Sequence, residues 1–254
     1  MTAPTTPVPT RPRYRETLRQ LGRAQKSRKG GQAYSVFVNR GLGRLAAAAA
    51  HQLGLTPNAV TAVSAAFSLA GILVIALVGG PWAALAAPLL ATGYVLDSAD
   101  GQLARLRHGG SLSGEWLDHM VDSVKITALH LAVAVHVFRH TDLSAGWLAV
   151  PLAYTVVGVA AFFAQLLNEQ LQRNFWLQAG GRTDTQTPTS SAVMLFAKLP
   201  HDYGVLCWSF VLLMWPTTFA TVYAFLMSFN AAYLAAAVFK WYAQMRDLDS
   251  RRPA

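Results

Sequence analysis

A single cysteine and a shortage of charge narrow the reading of this chain first. Cys207 is alone among 254 residues. No intrachain disulfide can form, and one thiol in an apolar run is not a metal site. Charged residues make up only 13% of the chain, and acidic residues number 12. Average soluble domains carry roughly 25% charged residues. The opening stretch, MTAPTTPVPTRPRYRETLRQ, has no apolar segment of the secretory-signal kind. No internal repeat is visible. What abounds is apolar sequence, 53% of the residues, gathered in long blocks. That distribution predicts an all-α integral membrane protein.

The apolar blocks fall at 58–79, 82–104, 114–139, 145–170, 203–216 and 218–240. A helix of about 20 residues crosses a bilayer, so six transmembrane helices are expected. The fifth block is short; it either begins nearer Leu199 or packs inside the bundle. Gly79-Gly80-Pro81 breaks the first pair of blocks and Trp215-Pro216 the last. Residues 33–53 set an apolar face against Asn39, Arg40, Arg44 and His51. This pattern predicts an N-terminal amphipathic helix lying in the interface, stopped by Gly54. Thr56 and Pro57 read as the cap and first turn of the first span. The chain then divides into a basic disordered or surface-bound tail at 1–31, an interfacial helix at 32–56, a six-helix domain at 57–243 and a tail at 244–254.

Net charge is +9. In a membrane protein this balance suits anionic headgroups and phosphorylated substrates, and no nucleic-acid partner is expected. With a cytosolic N-terminus, every Lys and Arg except Lys125 and Arg139 falls in a cytosolic segment. That asymmetry predicts a multi-pass cell-membrane protein with both termini in the cytosol.

The residues from 97 to 122 break the apolar pattern: DSADGQLARLRHGGSLSGEWLDHMVD. Asp97, Asp100, Glu115, Asp118 and Asp122 all lie here, between two strongly apolar flanks. A charge at the centre of a bilayer helix costs about 2.5–3.5 kcal/mol on insertion scales, so a cluster needs a reason. Asp97, Asp100 and Ala104 share one helical face, and so do Gly114, Asp118 and Asp122. The glycine- and serine-rich turn HGGSLSG joins the two helices. A hairpin would point two Asp pairs at each other, where they repel unless a cation sits among them. Hard oxygen ligands favour Mg²⁺ or Mn²⁺, and Mg²⁺ commonly works with substrate phosphates. Glu115 lies off the Asp face and is left out of this site. Lys125, three residues after Asp122, can pair with it or snorkel; snorkelling or a carbonyl bond is the simpler reading. His119, His130 and His136 lack metal-ligand spacing and read as packing or interfacial residues, and Glu169 as interfacial.

Asp97-x2-Asp100-Gly101-x2-Ala104-Arg105-x8-Gly114-x3-Asp118-x3-Asp122 resembles the signature of the CDP-alcohol phosphotransferase (phosphatidyltransferase) family at every fixed position. The resemblance implies a metal-dependent membrane enzyme, commonly a homodimer. It moves a substituted phosphate from a CDP-alcohol to an acceptor hydroxyl and releases CMP, as in phospholipid biosynthesis. It implies that Asp97, Asp100 and Asp118 bind metal, with two ions expected. Asp122 matches the proton acceptor and also contacts metal. Gly101, Arg105, Ser111, Asn58 and Thr61 match positions around the CDP-alcohol. Helix packing explains Gly101 as well as substrate contact does, and Asn58 and Thr61 also suit a cap.

For the donor, CDP-diacylglycerol is expected, with a soluble CDP-alcohol as the alternative. For the acceptor, a small polyol phosphate such as inositol phosphate or glycerol phosphate is favoured, its phosphate held by Arg173, Arg182 or Lys198. A cation transporter using the Asp cluster is the competing class; the lack of a repeat and the position of the Asp residues near one membrane face argue against it. A catalytically dead scaffold is disfavoured by the intact Asp set.

Overall fold

A computed structural model describes residues 14–23, 25, 31–107, 109–179 and 196–251. Among these residues all regular structure is helical. The helices are α1 (Tyr14–Arg23), α2 (Arg40–Gln52), α3 (Pro57–Leu77), α4 (Ala86–Leu106), α5 (Leu112–His140), α6 (Ala149–Gln178), α7 (Tyr203–Ser209) and α8 (Pro216–Ser250). Short 3₁₀ turns lead into α4, α6 and α7 at Gly80–Leu85, Ala145–Leu148 and Leu199–His201. Another, Phe210–Met214, extends α7.

Local chemistry sets the helix ends. Gly54 adopts φ +76° after α2. There the Leu55 amide bonds the Ala50 carbonyl at 3.0 Å, closing the helix with a glycine a β-carbon would strain. Two residues later Thr56 Oγ1 accepts the Ala59 amide at 3.1 Å, with Pro57 at the first helical position. Ser111 caps α5 in the same way, accepting the Gly114 amide at 3.0 Å. Between α4 and α5 the chain turns through Gly109 at φ +124°. The expected stops and caps at Gly54, Thr56 and Pro57 are present.

Four helical segments are long and apolar enough to cross a membrane: Pro57–Leu77, Leu112–His140, Ala145–Gln178 and Pro216–Ser250. Helix α4, which carries Asp97 and Asp100, is not among them, and Tyr203–Met214 is a shorter apolar helix. The core runs through Ile75, Leu90, Leu129, Val133, Phe210, Phe219 and Tyr223. Glycine brings α3 and α4 close: Ser64 Oγ donates to the Gly93 carbonyl at 2.8 Å, and a β-carbon on Gly93 would strike Ser68. Both α4 and α5 pack on α3. The two Asp-bearing helices therefore share α3 as a brace, which holds their acidic faces apart across a cleft.

The N-terminal segment departs from the expectation of a disordered or surface-bound tail. Residues 14–23 form α1, with Thr17 and Leu21 buried. A second small core of Leu21, Ala47, Ala48, Val60, Ala99 and Leu103 joins α1, α2, α3 and α4. Basic composition hid this, because a spaced pair of inward residues is enough to dock a short helix. Helix α2 buries Gly43, Ala47, Ala48 and Ala50 and leaves Leu42 and Leu45 exposed.

Candidate active site

Two hollows meet at the aspartates. The larger, about 670 Å³, opens where α3, α4, α5 and α6 come together. Asn58, Thr61, Asp100, Gly101, Arg105 and Ser111 line it, with Asp118, His119 and Arg173. The smaller, about 280 Å³, is lined by Asp97, Asp122 and Lys125 at one end. Tyr154, His201 and Asn230 form part of its far wall. Each helix thus gives one motif Asp to each hollow.

Asp100 is buried, and its Oδ2 accepts a 2.6 Å hydrogen bond from Thr61 Oγ1. Thr61 therefore does not cap α3, a role Thr56 fills; it orients a carboxylate on the next helix. A β-carbon on Gly101 would meet only the Arg105 guanidinium at 3.5 Å, so this face of α4 is open to a ligand. Gly114 serves α5 differently: a β-carbon there would lie 3.0 Å from Asn58 Oδ1 and 3.1 Å from Ser111 Oγ. Its absence lets Asn58 and Ser111 sit side by side at the rim.

Lys125 does not snorkel. It is 6% exposed, and its Nζ lies 2.7 Å from both Asp97 Oδ1 and Asp122 Oδ1. The simpler reading from sequence fails because α4 supplies a second carboxylate, and two short ion pairs outweigh reaching for the interface. A correction is also due at His119. Ligand atoms of Asp118, His119 and Asp122 converge within 4.8 Å of one another, so this histidine belongs to a group able to hold a metal ion. His130 and His136 are packing residues, bonding Tyr223 Oη at 2.7 Å and the Ile75 carbonyl at 2.8 Å.

Of the residues expected to hold an acceptor phosphate, Arg173 and Lys198 are among those described. Arg173 lines the larger cleft, alongside Gly101 and Arg105, and pairs with Glu115 Oε1 at 2.9 Å. Lys198 lines neither hollow. Arg182 lies outside the described residues.

The far wall of the smaller hollow was not legible as a site. His201 Nδ1 meets Asn230 Oδ1 at 2.5 Å, and Asn230 Nδ2 donates to Tyr154 Oη at 3.0 Å. The His201 ring also stacks on Tyr233, with ring centroids 4.1 Å apart. Next to it Asp202 is 0% exposed; its carboxylate accepts the Gly204 amide at 3.1 Å and the Ser35 amide at 3.2 Å. The one sequence signal was Asp202 directly before an apolar run, a helix-cap pattern.

Two helices thus present carboxylates, and with His119 a group able to hold a metal ion, beside a cleft that Arg105 and Arg173 line. A family model described as CDP-alcohol phosphatidyltransferase matches residues 54–241. The chain belongs to the CDP-alcohol phosphatidyltransferase family. No curated protein matches it. Family membership makes it a membrane phosphotransferase using a CDP-alcohol donor and an alcohol acceptor. The matched segment contains all eight motif positions and both hollows except Gln32.

Proposed function

We propose that the protein transfers a substituted phosphate from CDP-diacylglycerol to the hydroxyl of a small alcohol, releasing CMP, in phospholipid synthesis. One observation carries this reading: an arginine-bearing cleft and a separate hollow, whose one described lysine is paired to carboxylates, share the motif aspartates of the same two helices. The cleft suits the donor, with Asn58, Thr61, Gly101 and Ser111 around the cytidine and Arg105 on a phosphate. The smaller hollow suits the acceptor. Lys125 is the one Lys or Arg among its described lining residues, and it is bound to two carboxylates. The described walls therefore fit a hydroxyl-bearing group better than a phosphate, and a phosphorylated acceptor would need Arg182 or Lys198 at the mouth.

Asp97, Asp100, Asp118 and Asp122 are the proposed metal ligands, and their oxygens fit Mg²⁺ or Mn²⁺. When bound, a divalent ion there neutralises the pyrophosphate and polarises the reacting phosphorus. Asp122 is the base. With Lys125 paired to its Oδ1, the Asp122 carboxylate receives the acceptor proton as the acceptor oxygen bonds to phosphorus. The bond from that phosphorus to the bridging oxygen breaks, and CMP leaves with that oxygen. Thr61 orients Asp100 through its 2.6 Å bond. Hydrogen bonds to charged groups contribute about 1.5–3 kcal/mol, so Thr61→Val is expected to raise the Mg²⁺ needed for half-maximal CMP release about tenfold or more. An unchanged Mg²⁺ requirement removes this role.

The membrane arrangement proposed with this activity has six spans. The four long apolar segments are joined by α4 with its leading turn and by the stretch from Leu199 to Met214. Both termini and the cleft face the cytosol, as the basic residues suggest. Residues 57–243 form the catalytic domain, α2 lies at the interface with Leu42 and Leu45 toward lipid, and two copies associate.

The experiment is CMP release by the full-length protein in detergent with Mg²⁺. The donors are CDP-diacylglycerol and a soluble CDP-alcohol; the acceptors are inositol, inositol phosphate, glycerol phosphate and serine. Release from CDP-diacylglycerol, abolished by chelator and recovered with Mg²⁺ or Mn²⁺, is expected. Full activity in excess chelator defeats the metal assignment. Release only from the soluble donor reassigns the substrate.

A further inference from the structure

We infer that Lys125 takes the place of one of the two divalent ions expected at this site, leaving it to bind a single Mg²⁺ or Mn²⁺. The inference rests on the phosphotransferase reading above and sharpens it. Lys125 projects from α5, one turn beyond Asp122, and its ammonium bridges the helices. Nζ is 2.7 Å from Asp122 Oδ1 on its own helix and 2.7 Å from Asp97 Oδ1 on α4. This is the position in which a cation shared by the two helices would sit.

Lysine and ion compete for that position. A Mg²⁺ about 2.1 Å from both oxygens would fall on the space Nζ fills, or sit against the ammonium as a like charge. The lysine cannot step aside cheaply. It is buried, and beyond Asp97 and Asp122 the hollow beside it offers neutral polar groups such as Gln165 and Asn230, apolar Ile126, Leu129 and Leu206, and Asp202, which already accepts two backbone amides. An ammonium moved off both carboxylates into that wall exchanges two close charged partners for weaker ones.

One ion site remains on the cleft side of the lysine. Asp118, His119 and Asp122 bring ligand atoms within 4.8 Å of one another. Asp100 faces the same cleft. Asp122 then stands between two cations, the lysine on its Oδ1 and the ion's ligand group on the cleft side. The resulting division of labour is specific: the ion serves the donor phosphates, and the ammonium supplies fixed positive charge toward the acceptor hollow. Lys125 is a positioning residue in this scheme, holding Asp97 and Asp122 at one geometry whether or not an ion is bound.

The test is metal stoichiometry, read without turnover. The full-length protein is titrated with Mn²⁺ alone, and bound Mn²⁺ is counted by equilibrium dialysis and observed by electron paramagnetic resonance. Wild type is expected to bind one Mn²⁺ per chain with an uncoupled spectrum. Lys125→Met is expected to bind two, with the spin coupling of ions about 4 Å apart. Lys125→Arg, which keeps the charge, is expected to stay at one. Two coupled ions in wild type overturn the inference while leaving the metal-dependent phosphotransferase intact. One uncoupled ion in folded Lys125→Met overturns it as well, because the lysine is then not what excludes the second. Should Lys125→Met fail to fold, the wild-type count still decides. No bound Mn²⁺ in wild type overturns both this inference and the metal assignment, whereas CMP release from CDP-diacylglycerol tests the reaction independently.

Discussion

Asp122→Asn is expected to cut CMP release by about 10²–10⁴-fold, the range attributable to a positioned general base. The fold should survive. Asparagine is nearly isosteric, its amide oxygen can still accept from Lys125, and Lys125 keeps Asp97 at 2.7 Å. Loss of the carboxylate also weakens a ligand to any ion at Asp118 and His119, since these three groups converge. The two effects separate under saturating Mn²⁺. A ligand defect is recovered by mass action; a missing base is not. The measurement is turnover across an Mn²⁺ series, with CDP binding and thermal midpoint as controls for folding. Turnover that returns to the wild-type level at high Mn²⁺ would assign Asp122 to the metal alone.

Gly204→Ala is expected to produce the largest loss of stability from the smallest change. A β-carbon there would lie 2.1 Å from the Tyr34 ring, closer than any real contact, and the obstacle is a rigid aromatic ring. Tyr34 cannot yield without cost. Its hydroxyl accepts from Trp208 Nε1 at 3.0 Å, and its ring stacks on Tyr94. Overpacking of this kind costs about 1–3 kcal/mol. The damage should reach the smaller hollow, because Tyr94, Asp202 and Tyr203 all line it. A lowered thermal midpoint in detergent and reduced CMP release are expected together. An unchanged midpoint would mean that the 32–39 segment does not sit on α7 as described.

Much of the active site was legible because its chemistry is local. Asp97 and Asp100 share a face of one helix and Asp118 and Asp122 a face of the next, and helical periodicity converts their spacing directly into position. The cap at Thr56 was readable for the same reason, since it closes within three residues. The smaller hollow was not. Its wall combines Tyr154, His201 and Asn230 from three separate segments. None of them carries a pattern in its own neighbourhood, whereas Arg173, read as an acceptor cation, lines the larger cleft. Arg173 was drawn to Glu115, 58 positions away in the chain.

The amino-acid sequence by itself determined the class of molecule, the helical hairpin that bears four carboxylates, and the family to which both belong. Composition and periodicity act over one or two helical turns, so they need no partner helix to be read. Tertiary structure alone decided that α1 docks, that the acidic helices stand apart on α3, and that two hollows meet between them. It also decided the fate of Lys125. Snorkelling was the better choice for a lysine on an isolated helix; a second carboxylate arriving from α4 reversed it, because ion pairing falls with distance and only folding brought Asp97 within 2.7 Å.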